Sequence, residues 1–442
     1  MNLNTVASLL SQPVQLNAEI TGVCIDSRLI KPGNLFIAIL GDRFDGHDFI
    51  KEVVAKGALA VVVNRAIDGV TVPQFIVPDT LVALAKIAAG HRQTMTCPVI
   101  ALTGSNGKTT VKEMIAAILP PPSHATKGNL NNHIGAPLSV LELSNEHRYA
   151  VFELGANHAG EIAHTVAIVR PDVTLINNIA PAHVEGFGSI DGVARAKGEI
   201  HQGLSATGTA VINDDDAYAH FWDNVLTDKK TIRFSAINPA DVYARDVRFD
   251  THGRGHFSLI LPNGQADIEL QVPGMHNVRN ALAAAACCYA VGISIKDIQR
   301  GLAHFSGVKG RMTMMMGKNN STIIDDTYNA NLRSVLTALE VLAQRPGRKV
   351  FIFGDMGELG TWATQHHQEV GLAARQLGID VLMSCGSNSL MASQAFGEGG
   401  THFSTQEELA QMVLKELNPD TTILVKGSRS SAMEKIVHKL LN

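Results

Sequence analysis

The sequence of 442 residues lacks the features that mark several classes of protein. No apolar run approaches the roughly 20 residues that a membrane-spanning helix needs. The five cysteines are scattered without a CxxC pair, which fits a reducing compartment better than a disulfide framework. The formal net charge is −4, so the basic surplus typical of nucleic-acid-binding proteins is missing. The first 20 residues lack the basic and apolar regions of a secretory signal. We therefore expect a soluble cytoplasmic protein with no nucleic-acid partner and no membrane insertion.

The composition is that of an ordinary globular protein, with 45% hydrophobic and 18% charged residues. A chain of 442 residues exceeds the size at which one hydrophobic core usually keeps growing. Changes of pattern along the chain predict three α/β domains in a row, at residues 1–80, 81–310 and 311–442.

Short apolar runs bounded by turn residues predict the strands of these domains. In the first domain the predicted strands are VCIDSRLI, NLFIAIL, ALAVVV and QFIVP. In the second, CPVIALTG, YAVFELG, DVTLINNIA and TAVIND alternate with helical stretches, which indicates a mostly parallel sheet with helices on both faces. Residues 240–272 alternate polar and apolar side chains around a Pro-Asn-Gly turn, which predicts an antiparallel insertion. STIIDDTY, KVFIFGDM, DVLMSCG and TTILVKGS predict the sheet of the third domain.

Residues 103–110, Thr-Gly-Ser-Asn-Gly-Lys-Thr-Thr, lie where a predicted strand gives way to a helix. Glycines let the backbone wrap closely around a phosphate, and the helix N-terminus directs free N–H groups at the anion. Lys108 is expected to reach the β- and γ-phosphates of a nucleotide, and the hydroxyl of Thr109 to contact Mg²⁺. The general P-loop spacing has a glycine where this chain has Leu102. This shorter GxxGKT form restricts the set of P-loop families to which the chain could belong. A glycine-rich turn with an exposed lysine is the alternative.

Two further side chains follow predicted strands of the second domain. Glu153 ends the strand VFELG, and His183 follows VTLINNIA. Ligand groups converge at the carboxyl ends of parallel strands, so both could face the phosphate loop, and a carboxylate suits Mg²⁺. A structural histidine is the alternative for His183. Lys197, taken alone, has the pattern of a solvated helix lysine.

A series of motifs resembles the Mur ligases, in the order in which that family carries them. DSRLIKPGNLFIAILGDRFDGHDF near the start resembles the UDP-sugar-binding domain of the family, so the resemblance covers essentially the whole chain. The remaining motifs are TGSNGKTT, TKGNLNNHIGAPLSVLEL, FELGANHAGEI, NNIAPAHVEGFGS, ARAKGEI, INDDD, GMHNVRNALAA, GRM, DDTYNAN, GDMGELG and VKGSRSSAME.

The resemblance implies an α/β fold of three domains: a small UDP-sugar-binding domain, a central P-loop mononucleotide-binding domain with an antiparallel insertion, and a C-terminal Rossmann-like domain. It implies catalytic roles for Lys108, Glu153, His183 and Lys197. The implied ATP-binding residues are Gly104, Ser105, Asn106, Gly107, Lys108, Thr109, Thr110, Asn280, Arg311 and Asp326. The implied substrate-binding residues are Ser27, Arg28, Arg43, Asp45, His47, Asn131, Asn132, Asn329, Asn331, Lys426, Ser428 and Arg429. The implied metal-site residues are Thr109, Glu153, His183 and Lys197.

The same resemblance implies the reaction and its cofactors. It is strongest to the branch that adds D-alanyl-D-alanine to UDP-N-acetylmuramoyl-tripeptide in peptidoglycan precursor synthesis, through an acyl phosphate. ATP and Mg²⁺, two ions in number, are the implied cofactors. Lys197 matches the lysine that the family carbamylates with carbon dioxide, and a monomer is expected.

The sequence departs from the family at two places. The family usually continues YNAN with Pro-Asp, where this chain has Leu332 and Arg333; this change is expected to alter how the ATP-side loop of the third domain is held. Gly33-Asn34-Leu35-Phe36 stands where GDLF is usual.

Three alternatives to this function stay open. The first is another ligase of the superfamily, either a folylpolyglutamate synthase or an earlier Mur ligase that adds one amino acid. The others are a nucleotide-binding switch and a homologue that has lost catalysis.

Overall fold

The computed structural model describes residues 1–12, 17–41, 44–181 and 184–441. Within them the chain forms three sheets, of four, nine and six strands, that follow one another along the sequence. Helices pack against each sheet, so the prediction of three consecutive α/β domains is confirmed. The domain boundaries near residues 80 and 310 stay predictions. No helix in the described part of the chain is both long and apolar enough to cross a membrane.

The first sheet is parallel, in the order β1-β2-β3-β4. Its elements are α1 (Leu3–Leu9), β1 (Gly22–Cys24), β2 (Asn34–Ile37), α2 (Ile50–Ala55), β3 (Ala60–Val63), β4 (Gln74–Ile76) and α3 (Thr80–Gln93). The predicted strand VCIDSRLI is only three residues long, because the carboxylate of Asp26 accepts the backbone N–H of Arg28 and turns the chain. Helix α3 starts where the carboxylate of Asp79 caps its first turn.

The central sheet has nine strands in the order β13-β12-β11-β10-β9-β8-β5-β7-β6. The strands from β6 to β11 run parallel, and β11, β12 and β13 form the predicted antiparallel meander. Phe234 and Val242 pair β10 with β11, so this insertion extends the edge of the same sheet. The elements are β5 (Val99–Thr103), α4 (Lys108–Ile118), β6 (Ser123–Ala125), α5 (Gly135–Leu141), β7 (Tyr149–Glu153), α6 (Glu161–Val169), β8 (Val173–Ile176), α7 (Val184–Phe187), α8 (Ile190–Gly198), β9 (Thr209–Asn213), β10 (Lys230–Ser235), β11 (Val242–Phe249), β12 (Arg254–Leu261), β13 (Gly264–Pro273), α9 (Met275–Ala290) and α10 (Ile295–His304).

The third sheet has the order β14-β15-β19-β16-β17-β18, with only β14 antiparallel to its neighbour. Buried apolar side chains fill both of its faces. The elements are β14 (Thr313–Met316), β15 (Thr322–Asp326), α11 (Leu332–Ala343), β16 (Arg348–Gly354), α12 (Ala363–Gln376), β17 (Val381–Cys385), α13 (Leu390–Phe396), β18 (Gly400–Phe403), α14 (Gln406–Val413), β19 (Thr421–Lys426) and α15 (Glu434–Leu440).

Candidate active site

The predicted phosphate loop connects β5 to α4, and the segment after β8 holds it in place. The N–H of Ser105 donates to Asn178 O over 2.9 Å, and the N–H of Asn106 donates to Asn178 Oδ1 over 2.9 Å. The hydroxyl of Ser105 donates to Ala180 O and accepts the N–H of Ala180. These bonds make the loop and residues 177–180 one rigid unit.

Helix α4 begins at Lys108, directly after Gly107. The φ angle of Gly107 is +78°, and a Cβ atom there would lie 2.6 Å from Asn280 Oδ1, so only glycine fits. Lys108 Nζ donates to Gly104 O over 2.8 Å, across the loop that it closes. Burial lowers the pKa of Lys108, and the carboxylate of Glu153 opposes that shift. A phosphate in the loop would therefore receive a desolvated ammonium and the free N–H groups of the helix start.

Glu153 ends β7 next to β5, as the strand pattern predicted, and is 3% exposed. Its Oε1 accepts a hydrogen bond from Asn131 Nδ2 over 2.8 Å. Its Oε2 is buried and has no hydrogen-bond partner within the described residues. A buried carboxylate oxygen without a partner is costly, so this atom is suited to a cation that the protein itself does not supply.

Lys197 lies in α8 and is 1% exposed, so the pattern of a solvated helix lysine is wrong. Burial, with the nearby positive charge of Lys108, lowers the pKa of Lys197 well below its usual value. Its Nζ lies 6.0 Å from the centre of the Phe187 ring. His183, the other predicted metal-site residue, lies outside the described residues.

The described residues supply only some of the ligands that a divalent cation needs. No group of three or more His, Cys, Asp or Glu side chains could hold a metal ion among the residues the structure describes. The unpaired Oε2 of Glu153 and the hydroxyl of Thr109 are oxygen atoms of the kind that Mg²⁺ prefers. Such a site would be completed by water and by phosphate oxygens.

The third domain supplies the opposite wall of the site. Arg311 Nη2 donates to Thr109 Oγ1 over 3.1 Å, and the guanidinium lies 4.1 Å from the centre of the Tyr328 ring. The buried Nε of Arg311 has no partner in the described part of the chain. Stacking on the tyrosine therefore fixes an arginine that still has donors to offer an anion.

Asp326 and Lys426 form a buried ion pair at the ends of the neighbouring strands β15 and β19. Lys426 is 2% exposed and also donates to Asn329 O over 3.1 Å. Asp326 Oδ1 accepts the N–H of Met312 over 3.2 Å. Because removal of either charge would leave the other unpaired and buried, the pair fixes the positions of both strand ends.

Two asparagine pairs connect predicted residues to the phosphate loop and its surroundings. Asn280 Oδ1, on α9, accepts from Asn177 Nδ2 over 3.1 Å beside the phosphate loop. Asn331 caps α11 and donates from Nδ2 to Asn106 Oδ1 over 2.8 Å. The second bond links the third domain directly to the phosphate loop.

These groups surround a cavity of about 470 Å³ between the central and third domains. The predicted residues that line it are Ser105, Asn106, Gly107, Lys108, Thr110, Asn131, Asn132, Glu153, Asn280, Arg311, Asp326, Asn329, Asn331 and Lys426. The chain thus brings predicted residues from seven of the quoted motifs to one cleft, with amide, ammonium and guanidinium donors on both walls.

The other predicted residues within the described part of the chain do not line this cavity. Ser428 is 4% exposed, with its N–H on Asp355 O, and Arg429 pairs with Glu434. Arg43 lies outside the described residues. Gly104, Thr109 and Lys197 are not among the residues that line the cavity.

The first-domain residues stand apart from the cleft. The side chain of Arg28 is 84% exposed and pairs with Asp26, and Ser27 is 9% exposed. His47 is buried, with Nδ1 on Asp45 and Nε2 on the N–H of Asn64. Arg65 also binds Asp45 and holds the pKa of that carboxyl well below its usual range. Asp45 and His47 therefore build the turn that shapes this surface.

Sequence reasoning missed several residues of the cleft: Asn177, Asn178, Asp216, His276, Tyr328 and Arg333. Asn177 and Asn178 directly follow β8, a position that could have found them. Burial lowers the pKa of His276 to about 4, so this ring is neutral at pH 7. Its neighbours Asp326 and Lys426 belong to another domain, and no local pattern signals that contact.

Three domain models of one family match the chain in the order of its three sheets. The Mur ligase family catalytic domain matches residues 19–92, the Mur ligase middle domain residues 102–288, and the Mur ligase glutamate ligase domain residues 310–429. The chain belongs to the Mur ligase family and is an ATP-dependent ligase.

Its relatives extend over the full chain. The UDP-N-acetylmuramoyl-tripeptide–D-alanyl-D-alanine ligase of Escherichia coli (strain K12) is 45% identical and aligns with 100% of this chain and 98% of its own length. A crystal structure of MurF from Acinetobacter baumannii superposes with a TM-score of 0.92 at 37% identity, covering 99% of this chain and 98% of that one. MurF of Thermotoga maritima in complex with ADP has a TM-score of 0.82 at 26% identity, covering 95% and 96%.

Proposed function

We propose that this chain joins D-alanyl-D-alanine to UDP-N-acetylmuramoyl-tripeptide, with ATP converted to ADP and phosphate. The observation that carries the proposal is full-length similarity to a relative of that specificity, at 45% identity. The cleft adds a second support, because it combines a phosphate loop with cationic groups from a second domain. The first domain, residues 1–80, is proposed to bind the UDP-sugar, and residues 81–310 and 311–442 to bind ATP between them.

The reaction runs through an acyl phosphate. A carboxylate oxygen of the tripeptide attacks the γ-phosphorus of ATP, the bond to the β-γ bridging oxygen breaks, and ADP leaves. The amine of D-alanyl-D-alanine then attacks the acyl carbon, phosphate leaves with the C–O bond electrons, and the amine loses a proton. The product is the UDP-linked pentapeptide.

The first step brings two anions together, so positive charge at the phosphates governs its rate. Lys108 and Arg311 are proposed to bind the phosphates from opposite walls, and Asn131 to hold Glu153 in its orientation. Bound Mg²⁺ would supply further positive charge, held by Thr109 and Glu153 with His183. The acyl phosphate reacts with water, so the cleft must exclude solvent while it exists.

Lys197 is proposed to carry a carbamate. A neutral amine is required to attack carbon dioxide, and burial favours the neutral form of this lysine. The carbamate would turn a destabilising cation into an anion close to Lys108 and to Mg²⁺. We further propose that the enzyme is a cytoplasmic monomer.

The test is phosphate release from ATP and Mg²⁺ by the purified protein, with the product identified by mass. Release that requires both UDP-N-acetylmuramoyl-tripeptide and D-alanyl-D-alanine, with a pentapeptide product, is the expected result. Turnover with a single amino acid or a folate acceptor in place of the dipeptide would move the chain to another branch of the family. Lys108→Met should abolish release, and Lys415→Met, which removes an exposed ammonium of the third domain, should not.

A further inference from the structure

Arg333 joins the third domain to the central domain beside the nucleotide cleft. It is the second residue of α11, and its Nη1 donates to Ile179 O over 3.0 Å, across 154 positions of sequence. We infer that Arg333 is a positioning residue that holds the cleft closed before ATP arrives and thereby raises the affinity for ATP. The inference rests on the proposed function only for the identity of the nucleotide.

The acceptor of this bond belongs to the wall of the phosphate loop. The N–H of Ile179 donates to Asp216 Oδ2 over 3.0 Å, so its peptide group is held on the opposite side as well. Its neighbours Asn178 and Ala180 bind the backbone of the phosphate loop and the hydroxyl of Ser105. A bond to Ile179 O therefore positions the third domain relative to the loop itself.

Helix stability does not account for an arginine at this position. A cation in the first turn opposes the helix dipole, and α11 has no acidic residue there to offset it. The Pro-Asp usual in the family would suit a helix start, because proline is favoured at the first helical position and an acidic residue there interacts favourably with the helix dipole. In this chain the first turn of α11 therefore lacks a stabilising proline and acidic residue, and Arg333 instead forms the hydrogen bond to the central domain. Conflict of this kind between a local rule and the observed residue is typical of functional positions.

Among the described residues, Arg311, Asn331 and Arg333 of the third domain bind the phosphate loop and its wall. ATP would affect these three contacts differently. Arg311 binds Thr109 and Asn331 binds Asn106. Arg311, Thr109 and Asn106 are expected to meet ATP or Mg²⁺, and Asn331 is expected to meet the substrate. These two contacts must be exchanged when the ligands bind. Arg333 instead binds a main-chain carbonyl, so its contact can persist in both states.

A contact present before binding changes affinity through the fraction of molecules that is already closed. The apparent dissociation constant is the intrinsic constant divided by that fraction. Arg333 is exposed, so solvent screens its bond, and its loss should raise the dissociation constant for ATP by about 3- to 10-fold. At saturating ATP the ligand's own contacts close the cleft, so kcat should change by less than about twofold.

The experiment compares Arg333→Met with Arg348→Met, which removes an arginine that binds Glu416 within the third domain. Calorimetry with a non-hydrolysable ATP analogue and Mg²⁺ gives the dissociation constant without turnover, and ligation assays give KM for ATP and kcat. We expect the dissociation constant and the KM for ATP to rise for Arg333→Met and not for Arg348→Met. Arg333→Lys should recover part of the lost affinity, and the melting temperature of Arg333→Met should not fall. Unchanged affinity for the analogue, or a kcat loss with a lower melting temperature, would overturn the inference.

Failure of the proposed function has a different signature. A wild-type enzyme that does not ligate D-alanyl-D-alanine, yet binds the analogue in an Arg333-dependent manner, would refute the substrate assignment and leave the positioning role standing.

Discussion

Replacing Lys197 with methionine is expected to stabilise the protein while abolishing ligation. The side chain is 1% exposed, its Nζ lies 6.0 Å from the centre of the Phe187 ring, and Lys108 adds repulsion. Without a carbamate, the folded protein must therefore either bury an ammonium or give up a proton. Methionine fills a similar volume and has no charge to desolvate.

The magnitude follows from the cost of burying a charge. Replacing buried ionic groups with apolar side chains of similar size is often stabilising by about 1–4 kcal/mol. A gain of about 2 kcal/mol would move the urea midpoint up by roughly 0.7 M or less, because the slope m grows with chain length and reaches at least about 3 kcal/mol/M for a long chain.

The pH dependence has a definite sign. Burial lowers the pKa of Lys197 on folding from its usual value of 10.5, so between the folded and unfolded pKa values the folded protein binds fewer protons than the unfolded chain. Wild-type stability should therefore rise as the pH approaches 10.5, where the unfolded lysine also loses its proton. The advantage of Lys197→Met should be largest near pH 7 and should shrink by pH 10.

The assay is urea denaturation followed by tryptophan fluorescence, in buffer free of carbon dioxide. Trp222 Nε1 donates to Ala194 O in α8, so this ring reports on the helix that carries Lys197. Trp362→Phe removes the other tryptophan, which is 50% exposed. Added bicarbonate should stabilise the parent protein but not Lys197→Met. No gain in stability at pH 7 would refute the argument, because Lys197 would then have a partner or a solvated charge.

Three further outcomes follow from buried polar groups. Asp326→Asn leaves the ammonium of Lys426 buried without a counter-charge and should cost about 3–5 kcal/mol in urea denaturation; a loss under 1 kcal/mol would show that the pair is well solvated. Asn131→Ala removes the donor to Glu153 Oε1, worth about 1.5–3 kcal/mol, so kcat should fall roughly 10- to 150-fold; unchanged kcat would exclude an orienting role. Burial lowers the pKa of His201 to about 4, so stability should drop as the pH falls from 6.5 toward 4, by up to about 3 kcal/mol. His201→Gln should remove that part of the slope, and an identical pH profile would contradict it.

The phosphate loop could be predicted from sequence because all of its determinants lie within a few consecutive residues. An apolar strand, Gly104, Gly107 and a helix that starts at Lys108 are enough to specify the turn. Glu153 was predicted for a similar reason, since a residue that ends a parallel strand lies at the ligand-binding edge of the sheet. Local pattern failed for Lys197, because burial in α8 depends on helices and strands distant in sequence.

The sequence by itself determined the three α/β domains, the family and the phosphate loop, since each depends on short-range patterns or motifs. Only the tertiary structure decided which side chains meet across the cleft. Arg311 reaches Thr109 across 202 positions, Asn331 reaches Asn106 across 225, and Arg333 reaches Ile179 across 154. The physical reason is that such pairs are selected by the packing of two separate cores, and that packing leaves no periodic trace in either segment.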